Sequence, residues 1–181
     1  FTSNSDNGFG LPKLNSRNNA TSTAYNYDYL GRIISKTETI DEINFTFVYT
    51  YSTATGMLET YEYPSGFRLK YLYNNRGDQH EIRNATTNAL LWKGLAENHR
   101  GQLTEFTMGQ GGIHSFKTFS EHGFPQLFQA YDFFKNTPQT IQDLHFTFNT
   151  ATGNLISRAD NRTGQSETLT YDTDKLHSRL T

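Results

Sequence analysis

The chain has 181 residues, of which 34% are hydrophobic, with 16 Lys plus Arg against 18 Asp plus Glu and a formal net charge of -2. A mean hydropathy of -0.71 excludes a spanning helix, which needs about 20 consecutive apolar residues, and the balanced charge offers phosphate backbones no general attraction, so nucleic acid is not expected as a partner. The absence of Cys removes disulfides and thiolate chemistry, while 14 Phe, 11 Tyr and one Trp exclude a disordered composition.

Taken in chain order, one unit recurs: an aromatic residue, any residue, a second aromatic, then Asp, Asn or Ser, and a few residues later a Gly followed by an apolar residue. A weak copy spans Asp6 to Leu11 around Gly10. Full copies follow at Tyr25-Asn26-Tyr27-Asp28 to Gly31, Tyr49-Thr50-Tyr51-Ser52 to Gly56, and Tyr71-Leu72-Tyr73-Asn74 to Gly77. Weaker ones surround Gly101 and Gly123. Phe146-Thr147-Phe148-Asn149 then leads to Gly153, and a partial last unit holds Tyr171-Asp172 without its Gly. The glycines at 10, 31, 56, 77, 101, 123 and 153 are separated by 21, 25, 21, 24, 22 and 30 residues, the period of one supersecondary unit per repeat.

Each part of the unit has a physical reason. Rings two residues apart point to one side of a strand, so Tyr25, Tyr27, Tyr49, Tyr51, Tyr71, Tyr73, Phe146, Phe148 and Tyr171 are expected as core rings. Asp, Asn or Ser opening a turn bonds to the local backbone, and Gly31, Gly56, Gly77, Gly101, Gly123 and Gly153 are expected to take the positive φ that leads into the next strand. Ser52 to Gly56 and Asn149 to Gly153 hold one more residue, which predicts a longer loop or a bulge. A second reversal in each unit is expected at Asp41–Asn44, Tyr63–Gly66, Thr86–Asn88, Gly111–Gly112 and Thr163–Gly164, with a lengthened loop from Phe133 to Pro138. Strands rich in Thr, Tyr, Phe and Ile, without a sustained 3.6-residue apolar period, predict an all-β chain of consecutive antiparallel hairpins, a single run of about seven units over residues 1–181.

The blocks Tyr27-Asp28-Tyr29-Leu30-Gly31-Arg32-Ile33 and Tyr171-Asp172 resemble the tyrosine-aspartate (YD) repeat of bacterial Rhs proteins, wall-associated YD-repeat proteins and, more distantly, teneurins. Leu91-Trp92-Lys93-Gly94 with Ala96 to Thr104 is similar to a segment of bacterial Rhs cores. The copies depart from the pattern after the turn glycine, where Arg32 gives way to Met57, Asp78, Gln102, Phe124 and Asn154. The resemblance implies hairpins joined edge to edge in a curved or spiral sheet, an open segment of a shell that in polymorphic toxins encloses a toxin domain and in other members belongs to a secreted or cell-surface protein. It also implies adjoining repeats as partners. The self-cleaving Asp-Pro-x-Gly motif of the toxins has no counterpart, since the chain contains no Asp-Pro dipeptide. The stretch is expected to be part of a longer chain, without cleavage site, cargo or anchor.

Other chemistry finds little support in the residues. The histidines His80, His99, His114, His122, His145 and His177 form no close pairs of metal-ligand spacing, so neither a metal nor a cofactor is expected. No Gly-x-Ser-x-Gly elbow is present, Gly109-Gln110-Gly111-Gly112 reads as a hairpin turn, and three of the acids Asp28, Asp78, Asp172 and Asp174 fall in or beside turns of the repeat, where caps are expected. A non-enzymatic structural role is the expectation. Its rival is a carbohydrate-binding or adhesion module with a surface glycan as partner, using exposed aromatics. Phe133 and Phe134, off the period, are expected to form an interaction loop, and exposed sheet edges to permit self-association.

Overall fold

A computed structural model describes residues 2–6, 10–17, 21–172 and 179–180. Asp174 and His177 lie outside the described residues, as does the side chain of Asp172. The chain is all-β, and no helix occurs among the described residues.

Phe1–Ala89 and Leu90–Thr181 form two compact units. In the first, β1 (Thr2–Asp6), β2 (Pro12–Arg17), β3 (Thr21–Tyr27), β4 (Ile33–Ile40), β5 (Ile43–Tyr51), β6 (Leu58–Glu62), β7 (Arg68–Tyr73) and β8 (Gln79–Asn84) pair antiparallel, each with its neighbour in sequence. In the second, β9 (Leu90–Glu97), β10 (Leu103–Met108), β11 (Ile113–Phe119), β12 (Pro125–Asp132), β13 (Gln139–Phe148), β14 (Leu155–Asp160) and β15 (Gln165–Thr168) do the same. A short pair, β16 (Tyr171–Asp172) and β17 (Arg179–Leu180), stands apart from that ladder.

The turns follow the expected chemistry. Gly31, Gly77, Gly101 and Gly123 donate their N–H to the carbonyl three residues back, at Asp28, Asn74, Asn98 and Ser120. Gly56 and Gly153 reach one residue further, to Ser52 and Asn149, which accommodates their extra residue. The carboxamides of Asn74, Asn98 and Asn149 and the carboxylate of Asp28 each accept from the backbone N–H two residues on, at 2.9 to 3.0 Å. All six of these glycines, and Gly10, have φ between 74° and 90°. The second reversals also fall where expected, with left-handed backbone at Asp41 and Glu42, Gly66, Asn88, Gly111 and Gly164.

A bulge is not confined to the longer turns. The pairing slips by one residue beside the second ring of the unit at Tyr27, Tyr51, Tyr73, Phe119 and Phe148 alike. Without that extra residue the strand leaving the turn would present the wrong alternation of faces, so the slip restores the doublet's side in each copy.

One expectation needs correction. The two rings of each doublet share a face of their strand, but no expected core ring is buried: Tyr25, Tyr27, Tyr49, Tyr51, Tyr71, Tyr73, Phe146, Phe148 and Tyr171 are all half-exposed. Among the described residues only Ala130, Glu81 and Ser115 are buried. The rings therefore cover one another sideways rather than forming an enclosed core. Phe47 stacks on Tyr61 with centroids 6.0 Å apart and planes 5° apart, Tyr61 meets Tyr49 at 4.9 Å and Tyr63 at 4.6 Å, and Phe128 meets Phe146 at 5.2 Å. Each ring gains less than the full burial value of about 1.5–3 kcal/mol, because part of it stays in water.

Candidate functional site

The turn row is the most regular feature. At five positions the residue after a turn glycine lies against the turn glycine of the following repeat: a Cβ built on Gly31 would sit 3.4 Å from Leu11 Cδ1, on Gly56 3.5 Å from Arg32 Nη1, on Gly77 2.9 Å from Met57 Cε, on Gly123 3.6 Å from Gln102 Nε2 and on Gly153 3.4 Å from Phe124 Cζ, whereas a Cβ on Gly101 would meet nothing within 4 Å. Leu11, Arg32, Met57, Gln102 and Phe124 thus share one geometric task despite their different chemistry, while Asp78 at the same place in its unit takes Arg76 and Asn74 of its own turn. Arg32 and Gln102 add hydrogen bonds to the carbonyls of Gly56 (2.9 Å) and Gly123 (3.0 Å), and Arg100 donates to the carbonyl of Glu121. Arg32 also lies 4.3 Å above the Tyr51 ring and pairs with Asp28 at 2.7 Å. Burial acts to raise the Asp28 pKa, but the Arg32 backbone and side chain and the Leu30 N–H together outweigh it, holding the carboxyl below its ordinary 3.8.

A second link joins neighbouring strands of the first unit. The hydroxyls of Tyr27, Tyr51 and Tyr73 donate to the carbonyls of Pro12 (2.6 Å), Ile33 (2.8 Å) and Leu58 (2.9 Å), each the first residue of the strand before. In the second unit Phe148 stands in the equivalent place, and a stack on Phe124, 5.1 Å away and 10° from parallel, replaces the hydrogen bond. Burial pushes the Tyr61 hydroxyl up to about 12, with the neighbouring phenols of Tyr49 and Tyr63 adding to it, and burial also raises Tyr49, although its hydrogen bond with Tyr61 works the other way. Burial raises Tyr51, Tyr71 and Tyr73 as well.

The two faces differ in chemistry. Across the first unit the side opposite the doublets is polar, with hydroxyl and amide pairs Thr37–Thr46 (3.0 Å), Thr50–Thr60 (2.7 Å) and Asn26–Ser35 (2.8 Å), and the Arg68–Glu62 ion pair at 2.6 Å. In the second unit Trp92, Phe106, Phe128 and Phe146 occupy the doublet face, with Lys117 Nζ 5.1 Å from the Phe106 ring and 5.0 Å from the Phe128 ring. Its other face, marked by the pairs His114↔Tyr131, Phe116↔Gln129 and Gln129↔Asp143, carries a second aromatic group, of which only the two-residue spacing of Tyr131 and Phe133 is a signal in the sequence.

Phe133 and Phe134 are exposed, 49% and 65%, as expected of the off-period loop. Their rings are nevertheless seated: Phe133 against His114 (6.2 Å) and Tyr131 (6.4 Å), Phe134 over Gly109 and Gly112. The candidate carboxylates do not converge. Asp28 caps its turn, and Asp78 takes the Arg76 guanidinium at 2.9 Å and the Asn74 amide at 3.1 Å. No group of three or more potential metal ligands occurs among the described residues.

The sequence matches no known family profile and no curated protein. Solved structures are similar at the level of fold. The crystal structure of TcdB2-TccC3-Cdc42 aligns with a TM-score of 0.69 and 15% identity over 91% of this chain, and that of TcdB2-TccC3 without the hypervariable C-terminal region with 0.70 and 16% over 91%. The Photorhabdus luminescens Tc holotoxin pore with a TccC3 mutation aligns with 0.68 and 16% over 91%. This chain spans 9% of the length of each of those chains. The likeness establishes an Rhs-like fold.

Proposed function

We propose that the chain is a non-enzymatic structural segment of a secreted or cell-surface bacterial Rhs-like protein, a strip of repeats in a shell that encloses a toxin domain or in a wall-associated surface protein. The observation that carries this reading is the turn row. Leu11, Arg32, Met57, Gln102 and Phe124 share no chemistry, yet each meets the glycine of the next turn. Residues retained for a reaction keep their functional groups; residues retained for stacking keep their place. The neighbouring solved structures support the same direction, since they are Tc toxin assemblies. The partners are then adjoining repeats and an enclosed polypeptide.

Two measurements test this. The chain should show no turnover of glycoside, ester, peptide or nucleotide substrates; turnover abolished by a single side-chain substitution would remove the non-enzymatic reading. In the full-length polypeptide that contains these repeats, limited proteolysis should spare an internal segment until the turns are broken by Gly77→Val and Gly153→Val. Equal cleavage before and after would exclude enclosure. The carbohydrate-binding alternative draws on the half-exposed rings, and a glycan array on the purified chain separates it from a purely structural role.

A further inference from the structure

On the second unit's face opposite the doublets, four rings make a closed circuit: Phe116 to His114 (4.6 Å), His114 to Phe133 (6.2 Å), Phe133 to Tyr131 (6.4 Å) and Tyr131 back to Phe116 (6.1 Å). The repeat does not call for this group, because the corresponding side of the first unit carries threonines and ion pairs. Polar groups border it in fixed positions. Asp143 Oδ1 accepts from Gln129 Nε2 at 3.0 Å and contacts His145 Nε2 at 3.0 Å, and Glu105 Oε1 lies 2.9 Å from His114 Nε2. The enclosed His114 Nε2 makes no hydrogen bond.

The off-period loop builds one corner of the circuit and is anchored to do so. Phe133 N–H donates to the Gly112 carbonyl at 2.7 Å, Phe134 N–H to Asp132 Oδ1 at 2.8 Å, and the Phe134 ring lies so close over Gly112 that a Cβ there would collide with it. Gly112 has no left-handed φ; the ring alone requires glycine at that position. The half-exposed Phe133 is thus presented ready for contact rather than ordered on binding.

From this we infer that the His114–Phe116–Tyr131–Phe133 cluster is a saccharide-binding site, with Gln129, Asp143 and His145 as hydrogen-bonding partners for hydroxyls. A pyranose offers an apolar C–H face and a rim of hydroxyls, which matches rings bordered by amide, carboxylate and imidazole on an open sheet face. A cation would use acceptors alone, whereas this border combines an amide donor, a carboxylate and an imidazole, which hydroxyls can meet as both donors and acceptors. The inference is independent of the structural role proposed above: a shell strip can carry it or lack it.

The test is a glycan array spanning plant, bacterial and animal saccharides, followed by calorimetric titration of a hit with the 181-residue chain. At least one saccharide should bind, Phe133→Ala and Tyr131→Ala should weaken it by about tenfold or more, and Gly112→Ala should weaken it by displacing Phe134 although it touches no ligand. Tyr29→Ala, at an exposed turn position of the first unit, should bind as the parent does. Circular dichroism melts identify any variant that fails to fold; if Tyr131→Ala does, Phe133→Ala and Gly112→Ala decide. A silent array, equal binding by Phe133→Ala, or binding of tetramethylammonium without any saccharide would overturn the assignment.

Discussion

The guanidinium of Arg32 donates to the carbonyl oxygen of Gly56, 2.9 Å away in the next turn of the row. It lies over the Tyr51 ring on the way, so one side chain ties a turn, the following turn and a ring of the doublet face. Arg32→Met keeps the stem and removes the donors, and should cost about 1 kcal/mol in urea-induced unfolding. Unchanged stability would mean that the stem alone makes the contact, as Met57 does in the following repeat.

Asp28 contributes through its depressed pKa. A carboxyl held below 3.8 in the folded state adds stability that is present above that value and lost as pH falls through the folded pKa. Asp28→Asn preserves the turn cap, as Asn74 and Asn98 do at equivalent turns. The parent should be more stable than this variant near neutral pH, and the two should converge as the pH falls below 3.8. Parallel curves of stability against pH would refute the assignment.

Turn glycines differ in what surrounds them. Gly101 has φ +74° and open space, so Gly101→Ala should cost only the backbone strain, about 1–2 kcal/mol. Gly77 has φ +90° and Met57 Cε 2.9 Å from where a Cβ would stand, so Gly77→Ala should cost more. Met57→Ala in the same chain should recover part of the difference. Additive effects in that double-mutant cycle would separate the two residues.

The tyrosine hydroxyls predict an alkaline limit. A phenol whose folded pKa is raised adds stability that is complete below its unfolded value of 10.0 and lost as pH rises through the folded value, about 12 for Tyr61. Stability should fall from pH 10.0 upward, and less steeply in Tyr61→Phe. At neutral pH, Tyr51→Phe and Tyr73→Phe should each lose about 0.5–1.5 kcal/mol with the bonds to the Ile33 and Leu58 carbonyls. Thermal melts of the three variants at both pH values distinguish the two effects.

How much could be read without coordinates depended on range. The reversals at Asp28–Gly31 and Tyr63–Gly66, and the shared face of Tyr49 and Tyr51, follow from φ preferences and the two-residue period of a strand, both properties of a few adjacent residues. The Asp28 carboxylate was legible as a cap for the same reason, and so was the off-period loop at Phe133.

The rest spans 14 to 29 positions and waited for the register. From its own segment, nothing distinguishes Phe124 as the residue that will meet Gly153, or Tyr73 as the donor to Leu58. The bulge at each turn sets which residue stands opposite which, and the strand spacing then decides whether a side chain reaches the next repeat. The same holds for His114, Phe116, Tyr131 and Phe133: they come together only because β11 and β12 pair His114 with Tyr131 and the loop returns over Gly112. Local sequence determined the strands, their turns and their ring-bearing side. Tertiary pairing decided the contacts between repeats and the aromatic cluster, because such contacts depend on alignment between strands and not on the spacing within one.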